Sequence, residues 1–253
     1  QWEPLPAPTN EPQQLSVSAT GDTLYLENGG YVIIPGISVA NPPQPGYPPG
    51  SIFCASGPTE VVDVINPTTG KIWMDRNLGA SQVATSMTDA LAYGDLYQWG
   101  RLADGHQCRN SATTTIMSST DQPGNSDFVL TSAMPFDWRN PQNANLWQGV
   151  NGINNPCPSG YRIPTYTELN EERGSWTSSN NFGAFASACK FPLGGVRLFD
   201  EGGAVNGEGQ WGAYWSSTPL GTSIQSEYLQ ISTDAIMIGS VRGNGYSVRC
   251  IKD

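Results

Sequence analysis

The chain has 253 residues, of which 13% are charged, with 12 Lys and Arg against 22 Asp and Glu and a net charge of −10. Nucleic acids and anionic membrane surfaces are bound through basic patches, and the absence of any basic run predicts that the chain binds neither. No apolar stretch approaches the ~18 residues of a membrane span, and the abundance of Gly, Asn, Ser, Thr and Pro is typical of a loop-rich extracellular fold.

The N-terminal region is predicted to be separate from the main domain. Residues 1–14 are polar and proline-rich and are expected to form an extended arm. Residues 15–40 contain short alternating apolar runs around the turn signals "TGD" and "NGG", which predict a small β-meander with three strands between residues 15 and 36. Such a unit is too small to be stable alone. The prolines of "NPPQPGYPPG", residues 41–50, predict a stiff linker, so the main domain is expected to span 51–253.

The main domain is predicted to belong to the α+β class. "TEVVDVINPTTGKIWMD" is typical of a β-hairpin. "TSMTDALAYGDLYQWGR", residues 85–101, has a helical stripe that Thr88 or Asp89 would cap. A second helix is predicted after Thr165, because Glu168 three residues later completes a capping box, and "FGAFASACKF" is typical of a short third helix. The segments "GAYWSST", "SEYLQIS", "AIMIGSV" and "YSVRCI" predict strands near the C-terminus.

The five cysteines are scattered along the chain, and the sequence has one histidine. Zinc sites group their ligands in close pairs, so this spacing argues against zinc. The chain begins with Gln1 instead of Met, from which we expect that something has been removed from its front. Scattered cysteines in an exported chain predict one or two disulfides and one leftover thiol. The alternative is a set of buried thiols in a cytosolic protein.

Several motifs occur together in a characteristic order: "GKIWMDRNLGA", "AYGDLYQWGRLADGHQ", "DWRNP", "NNPCPSGYRIPTYTEL", "YWSST" and "GYSVRCIKD". In these motifs residues 57–253 resemble the Fibrobacter succinogenes major paralogous (FISUMP) domain family. The resemblance implies export and display on the surface of a Gram-negative bacterium, and no established catalytic activity comes with it. It also implies a disulfide between Cys157 and Cys250. Cys108 with Cys189 is the expected second pair, which leaves Cys54 free.

A more distant similarity concerns the fold. "GYRIPTYTEL" and "YSVRC" are similar to segments of formylglycine-generating-type domains, which share the C-type-lectin-like fold of two helices, an antiparallel sheet and long loops on one side. The paired cysteines that those enzymes use have no counterpart here. The calcium motifs of the lectins are also missing, because "DQPG" has Gly124 where an acidic ligand would stand. The similarity therefore implies a C-type-lectin-like fold without catalysis.

The segment "YGDLYQWGRLADGHQ" has two interpretations. Asp95 and Asp104 are spaced as a carboxylate pair with His106 as a base, which would suit acid–base chemistry. The aromatic residues of the segment are large enough to be core anchors, and Arg76 or Arg101 can pair with a carboxylate. We interpret the segment as a structural hub. Asp95 and Asp104 remain weak candidates for binding a metal, with calcium possible as a bound ion.

The loop from Phe199 to Tyr214 is predicted to carry recognition. It combines carboxylates and an amide with aromatic side chains, a mixture that suits a sugar or a calcium ion. Residues 120–145 are a candidate for a neighbouring wall. Within the loop, "GEGQWG" matches the dinucleotide pattern only formally, because no strand precedes it and no helix follows it. The candidate ligand-binding residues are Asp200, Glu201, Asn206, Glu208, Trp211 and Tyr214.

These observations predict an exported, non-enzymatic recognition or structural domain, displayed at a bacterial cell surface on a proline-rich stalk. Its expected partner is a surface protein or a glycan. An alternative is an accessory or receptor-binding subunit of a larger assembly, such as an appendage, an outer-membrane complex or a phage fibre. In that case the N-terminal meander would be the docking element. An enzyme of unknown type is the third hypothesis, and no common catalytic motif favours it.

Overall fold

The computed structural model describes the strands at 15–17, 23–26 and 31–33, and residues 46–253 apart from positions 56, 132, 222 and 223. The chain divides into two compact units, Gln1–Gln44 and Pro45–Asp253. The division therefore falls inside the stretch predicted as a linker. The predicted arm, residues 1–14, and positions 41–45 of the linker lie outside the described residues.

The first unit contains a three-stranded antiparallel sheet of the kind predicted for residues 15–36. Its strands lie in the order β1-β2-β3, so each strand pairs with the next along the chain. The strands are β1 (Leu15–Val17), β2 (Thr23–Leu26) and β3 (Tyr31–Ile33).

The second unit begins with a segment that packs on its own domain. The Tyr47 hydroxyl donates to the Thr59 carbonyl at 2.8 Å, and the Tyr47 ring meets Phe53 edge to face with centroids 5.2 Å apart. The Ser159 N–H donates to the Gly46 carbonyl at 2.9 Å. Residues 46–50, which the sequence analysis places in the linker, are thus in contact with the larger unit.

A four-stranded sheet of order β4-β5-β16-β9 joins the start of this unit to its end. The predicted hairpin is its first half, and the Asn66 side chain shapes the turn by accepting the N–H groups of Thr68 and Thr69. Its strands are β4 (Asp63–Ile65), β5 (Ile72–Met74), β9 (Tyr161–Arg162) and β16 (Ile251–Lys252).

The largest sheet has seven strands in the order β14-β13-β12-β10-β15-β6, with β11 paired to β10. All of its pairings are antiparallel except that of β10 with β12. A separate parallel pair joins β7 (Thr113–Thr114) and β8 (Phe128–Val129). The seven strands are β6 (Tyr97–Gln98), β10 (Gly194–Arg197), β11 (Val205–Glu208), β12 (Gly212–Pro219), β13 (Gln225–Ile231), β14 (Ala235–Val241) and β15 (Gly245–Tyr246). Three of the strands predicted near the C-terminus are confirmed as β12, β13 and β14. The segment "YSVRCI" is not one strand, because only its ends, Tyr246 and Ile251, belong to strands, β15 and β16.

Two predicted helices are confirmed. α1 (Tyr166–Gly174) begins with the predicted capping box, in which Thr165 and Glu168 satisfy each other's backbone N–H groups. α2 (Asn181–Ala186) lies in the third predicted helical segment, and the Asn180 side chain caps it. In the described part of the chain no helix has the length and apolar character needed to cross a membrane.

The helix predicted over residues 85–101 is wrong. The structure has a 3-10 turn at Ala90–Ala92, capped by Asp89, and then strand β6. Gly94 and Gly100 interrupt any helix with φ of +68° and +84°. A Cβ at Gly94 would lie 2.3 Å from the Leu78 carbonyl oxygen, so the chain crosses its neighbour closely at this point. The apolar residues of this segment belong to several elements, and they do not line one face of a helix.

The core lies on both faces of the seven-stranded sheet. Trp215 belongs to one cluster of buried side chains and Tyr214 to another, and both are 0% exposed. Alternation along a strand places neighbours on opposite faces, from which we expect one of the two to reach the surface. That expectation is wrong because β12 is a central strand with both faces covered. The domain is mainly β-sheet with two α-helices in its described part, which is compatible with the α+β class.

The disulfides confirm one expected pair and overturn the other. Cys157 is bonded to Cys250, as the family resemblance implies. Cys108 is bonded to Cys54 and not to Cys189, whose thiol is free and buried. The physical reason is that residues 52–54 run alongside the 103–108 segment, where the Ile52 N–H donates to the Ala103 carbonyl at 2.7 Å.

The cysteine arrangement predicts a specific alkylation pattern. Burial raises the pKa of the Cys189 thiol well above its ordinary value, and reaction requires an accessible thiolate. Native protein should therefore resist iodoacetamide, and denatured but unreduced protein should gain one label per chain, at Cys189. Peptide mapping without reduction is the measurement. A bridged peptide containing Cys108 and Cys189, or a second labelled cysteine, would contradict this pairing.

The packing of Tyr47 predicts where the domain can be cut. A chain beginning at Ser51 loses the half-buried Tyr47 ring and its hydrogen bond, which together stabilise by about 1–3 kcal/mol. It should melt about 3–8 °C below a chain beginning at Pro45. Tyr47→Ala in the longer chain is the matched control and should reproduce most of the loss. Equal melting temperatures for the two chains would show that residues 46–50 do not contribute to the domain.

Candidate functional site

Asp104, His106 and Arg101 form a closed network. The Nδ1 atom of His106 lies 2.6 Å from a carboxylate oxygen of Asp104, and its Nε2 accepts the Gln98 backbone N–H at 3.0 Å. Arg101 donates two hydrogen bonds to the other Asp104 oxygen and a third to the Asp127 carbonyl. Both ring nitrogens of His106 are therefore committed to the fold, and the imidazole is fully buried.

The pKa values of this network match a structural role. Burial, and then the nearby Arg101 charge, lower the pKa of His106 to about 4, so the ring is neutral near pH 7. Burial alone would raise the pKa of Asp104, but the charges and hydrogen bonds of His106 and Arg101 hold it at about 2. A base must reach a substrate proton, and this imidazole has no free nitrogen to do so. The geometry therefore supports interpreting the segment as a hub.

Asp95 lies in a different environment. It is 6% exposed, and its carboxyl group fills the space above Gly79, where a Cβ would lie 2.2 Å from the Asp95 Cγ. Burial raises the pKa of Asp95 to about 7, and the Arg109 charge opposes that rise. Asp95 and Asp104 thus belong to separate networks. Among the described residues no cluster of three His, Cys, Asp or Glu side chains could hold a metal ion.

Among the aromatic residues predicted to carry recognition, Trp211 is the most exposed. Its side chain is 51% exposed. It follows β11 in a tight turn in which the Trp211 N–H donates to the Gly207 carbonyl at 2.9 Å. A Cβ at Gly207 would lie 3.3 Å from the indole, so the ring covers this glycine. Gly207 and Gly209 have φ of +70° and +74°, a conformation that glycine adopts without strain and that fixes the position of the indole.

An ion pair lies on the same turn. Arg109 Nη1 donates to the Glu208 carboxylate at 2.8 Å, and the other nitrogens of this guanidinium bind the carbonyls of Gly94 and Gly194 at 2.7 and 2.8 Å. The guanidinium also lies 5.5 Å from the centre of the Tyr93 ring. We call Trp211, Gly207, Glu208, Arg109 and Tyr93 the Trp211 platform.

Sequence reasoning missed Arg109 and its contacts. Arg109 follows Cys108 in a stretch without periodicity, and it meets Glu208 across 99 positions of the chain. Tyr93 is 7% exposed, as expected of a core anchor, and its ring also contacts the Arg109 guanidinium. No local sequence pattern predicts the contacts of Arg109 with Glu208 and Tyr93, because both depend on the strand pairing that brings Gly194 opposite Glu208.

The other predicted ligand residues divide into two groups. Asp200 and Glu201 are exposed, and the Asn206 amide donates to Glu201 at 2.6 Å, so these side chains remain at the surface. Tyr214 does not, because it is 0% exposed and its hydroxyl donates to the Pro192 carbonyl within the core. Its inclusion as a ligand-contacting residue is therefore wrong, for the reason that β12 is covered on both faces.

Part of the predicted 120–145 wall lines a cleft. Two adjoining cavities of about 480 and 460 Å³ share Pro49, Leu102 and Gln122 in their walls. The second cavity also includes Asp104 and Asp121. The Asp121 carboxylate is held by Arg139 and Asn143 at 2.8 and 3.0 Å. The remaining lining residues of this cleft include Gly46, Tyr47, Ile52, Ser126, Ile153 and Asn155, of which only Ser126 belongs to the predicted wall.

The chain has no significant match among models of known protein families, curated proteins or solved structures. Its class therefore follows from its own architecture, which is a disulfide-linked, predominantly β domain with open sheets and peripheral helices. The Trp211 platform and the cleft are two surfaces among the described residues that offer a ligand both apolar and polar groups.

The raised pKa of Asp95 predicts how stability depends on pH. The folded-state value of about 7 lies above the ordinary value of 3.8, so the folded chain keeps a proton that the unfolded chain has lost. The contribution of Asp95 to the free energy of unfolding is then largest below pH 4 and is lost as the pH rises to about 7. Asp95→Asn should therefore gain stability relative to wild type across this interval, by about 2–4 kcal/mol.

Urea unfolding of both proteins between pH 4 and pH 8 measures this difference. Groups that titrate in both proteins, such as Asp137 with its pKa raised by burial to about 6, cancel when the curves are subtracted. Parallel curves would show that the Asp95 carboxyl is ionised in the folded protein throughout the range.

Proposed function

We propose that this protein is an exported, non-enzymatic recognition domain that binds a glycan at a cell surface through the Trp211 platform. The observation that carries the proposal is a half-exposed indole held in one position by a glycine turn. Rigid aromatic anchors provide large contact area at a low cost in conformational entropy. Trp and Arg are also the residues most often found to dominate binding energy.

The chemistry around Trp211 favours a sugar as the ligand. A pyranose presents a C–H face that packs on an aromatic ring, and hydroxyl groups at its edge that need both donors and acceptors. The indole supplies the apolar face. Glu208 supplies acceptors, and Arg109 supplies the N–H groups that Gly94, Gly194 and Glu208 leave unused. Their side chains are 50% and 24% exposed. An ion pair this exposed contributes only about 0–1 kcal/mol to folding, so the pair is better suited to orienting polar groups than to stabilising the domain.

Two disulfides support export. Disulfides persist in oxidising compartments and are rare in the cytosol, and here they close segments of 54 and 93 residues. The mixture of two peripheral helices, antiparallel pairing and long irregular segments supports a C-type-lectin-like fold. The motifs of the FISUMP resemblance fall on buried structural residues such as Arg101, His106 and Arg249, which supports a family defined by its scaffold instead of by a catalytic site.

The non-enzymatic part of the proposal is supported by the side chains that acid–base chemistry would need. His106 has both nitrogens hydrogen-bonded, Asp104 is paired with Arg101, and the Cys189 thiol is buried. Each of these groups contributes to folding where it stands.

Trp211→Ala tests the proposal on a glycan array, followed by titration of the strongest ligand. Loss of the indole should weaken binding by about 2 kcal/mol, roughly thirtyfold in Kd, and should change stability by under about 0.5 kcal/mol. Phe182→Ala is the matched control, because Phe182 is 66% exposed on α2, and its affinity should equal that of wild type.

Two results would overturn the proposal. One is binding by Trp211→Ala that is as tight as wild type, which would move recognition to the cleft beside Leu102. The other is an array on which the wild-type protein binds no glycan at all, which would exclude this class of ligand.

A further inference from the structure

Strand β14 is an edge of the seven-stranded sheet that stays open along part of its length among the described residues. It pairs with β13 over seven consecutive residue pairs without a bulge, and no other described strand pairs with its outer side. Its sequence, "AIMIGSV", has no charged residue and no proline. Natural edge strands are usually protected by lysine, proline or a bulge, and a long apolar edge without them is a site of strand addition.

The hydrogen-bond pattern shows which backbone groups of β14 face outward. The Leu220 N–H donates to the Gln225 carbonyl at 3.1 Å, and the Ser216 hydroxyl donates to the Glu227 carbonyl at 2.9 Å. The backbone N–H and C=O groups of odd-numbered residues in β13 therefore point toward β12. Those of even-numbered residues point toward β14. Because residues in an antiparallel pair alternate in this way, the odd-numbered residues of β14 direct their N–H and C=O groups away from the sheet.

One end of this edge is occupied. The Ala235 N–H donates to the Ser179 carbonyl at 2.9 Å, and the Ala235 carbonyl accepts from the Ser179 hydroxyl and from Arg173. The open part of the edge is consequently centred on Ile238, with the backbone groups of Met237 and Gly239 on either side of it.

We propose that β14 pairs with β14 of a second copy of this chain, in antiparallel register about a two-fold axis at Ile238. Met237 of each copy then lies opposite Gly239 of the other and exchanges two backbone hydrogen bonds with it. Ile238 faces itself in a non-hydrogen-bonded pair, where side chains approach most closely.

The side chains favour a second copy as the partner. Ile236 and Ile238 are 39% and 41% exposed on one face of the strand, and pairing would cover both. In a two-fold interface the same surface patch contributes both sides, so charges of one sign on the strand would be brought near each other. This chain has a net charge of −10, yet residues 235–241 are neutral. The pairing would also join two Trp211 platforms in one particle and raise avidity for a repetitive ligand.

The register can be tested by cross-linking. Paired residues on neighbouring antiparallel strands lie within the Cα separation that a disulfide requires. Ile238→Cys should therefore form a disulfide-linked dimer in high yield on mild oxidation. Ile236→Cys, which the proposed register places opposite Ser240, should cross-link several-fold less. Ile116→Cys is the control for random collision, since Ile116 is 78% exposed away from the sheet edge. Equal yields for all three variants would overturn the register.

Association is measured by sedimentation equilibrium on the full chain and on a chain beginning at Pro45. Both should dimerise, with a Kd in the micromolar range. Ile238→Lys, which sets two like charges against each other at the axis, should raise the Kd at least tenfold, and Ile116→Lys should leave it unchanged. A protein that is still monomeric at a concentration 100-fold above the expected Kd would overturn the proposal. A dimer that survives Ile238→Lys would also overturn it. A dimer lost when residues 1–44 are removed would assign association to the N-terminal meander.

Discussion

The structure depends on one requirement, that the carbonyl groups of buried irregular segments find hydrogen-bond donors. Long stretches of this chain, such as 99–112, have little regular secondary structure to satisfy them. Buried arginines provide the donors: Arg101 reaches the carbonyls of Asn125 and Asp127, Arg197 reaches those of Cys108 and Ser111, and Arg249 reaches those of Met74 and Cys189. Each guanidinium carries five donors in a fixed planar arrangement, so one side chain can hold two or three separate segments.

Tryptophan side chains extend the same principle. The indole N–H groups of Trp99, Trp138 and Trp215 donate to the carbonyls of Ser216, Trp99 and Tyr97. These side chains bury a large apolar surface and bind a backbone group at the same time. A chain with few charges and many loops can therefore build a dense core without long helices. It also explains why the only histidine became part of the scaffold, since a neutral imidazole that donates to Asp104 and accepts from Gln98 joins two such segments.

Polar and aromatic side chains occur both at the surface and in the core. Side chains close together in sequence can have opposite roles: Trp211 is half exposed on a glycine turn, and Tyr214, three positions later, is enclosed by the core. The proposed recognition by Trp211 and the proposed pairing through β14 both use surface that the core does not need. Because they lie on different strands and edges, loss of one interaction leaves the other in place, and each can be tested alone.

Local signals in the sequence determined the elements whose cause is itself local. The capping box at Thr165 and Glu168, the hairpin around residues 66–70 and the consecutive antiparallel strands β12–β14 depend on neighbours within a few positions. The pairing of Cys157 with Cys250 was implied by the family resemblance. Only the tertiary structure decided that Gly94 interrupts the helix predicted across it, that Cys54 is the partner of Cys108, and that Arg109 forms an ion pair with Glu208. The physical reason is that these features depend on which segments lie side by side, and that choice is made by burial of the whole chain, which no short window of sequence contains.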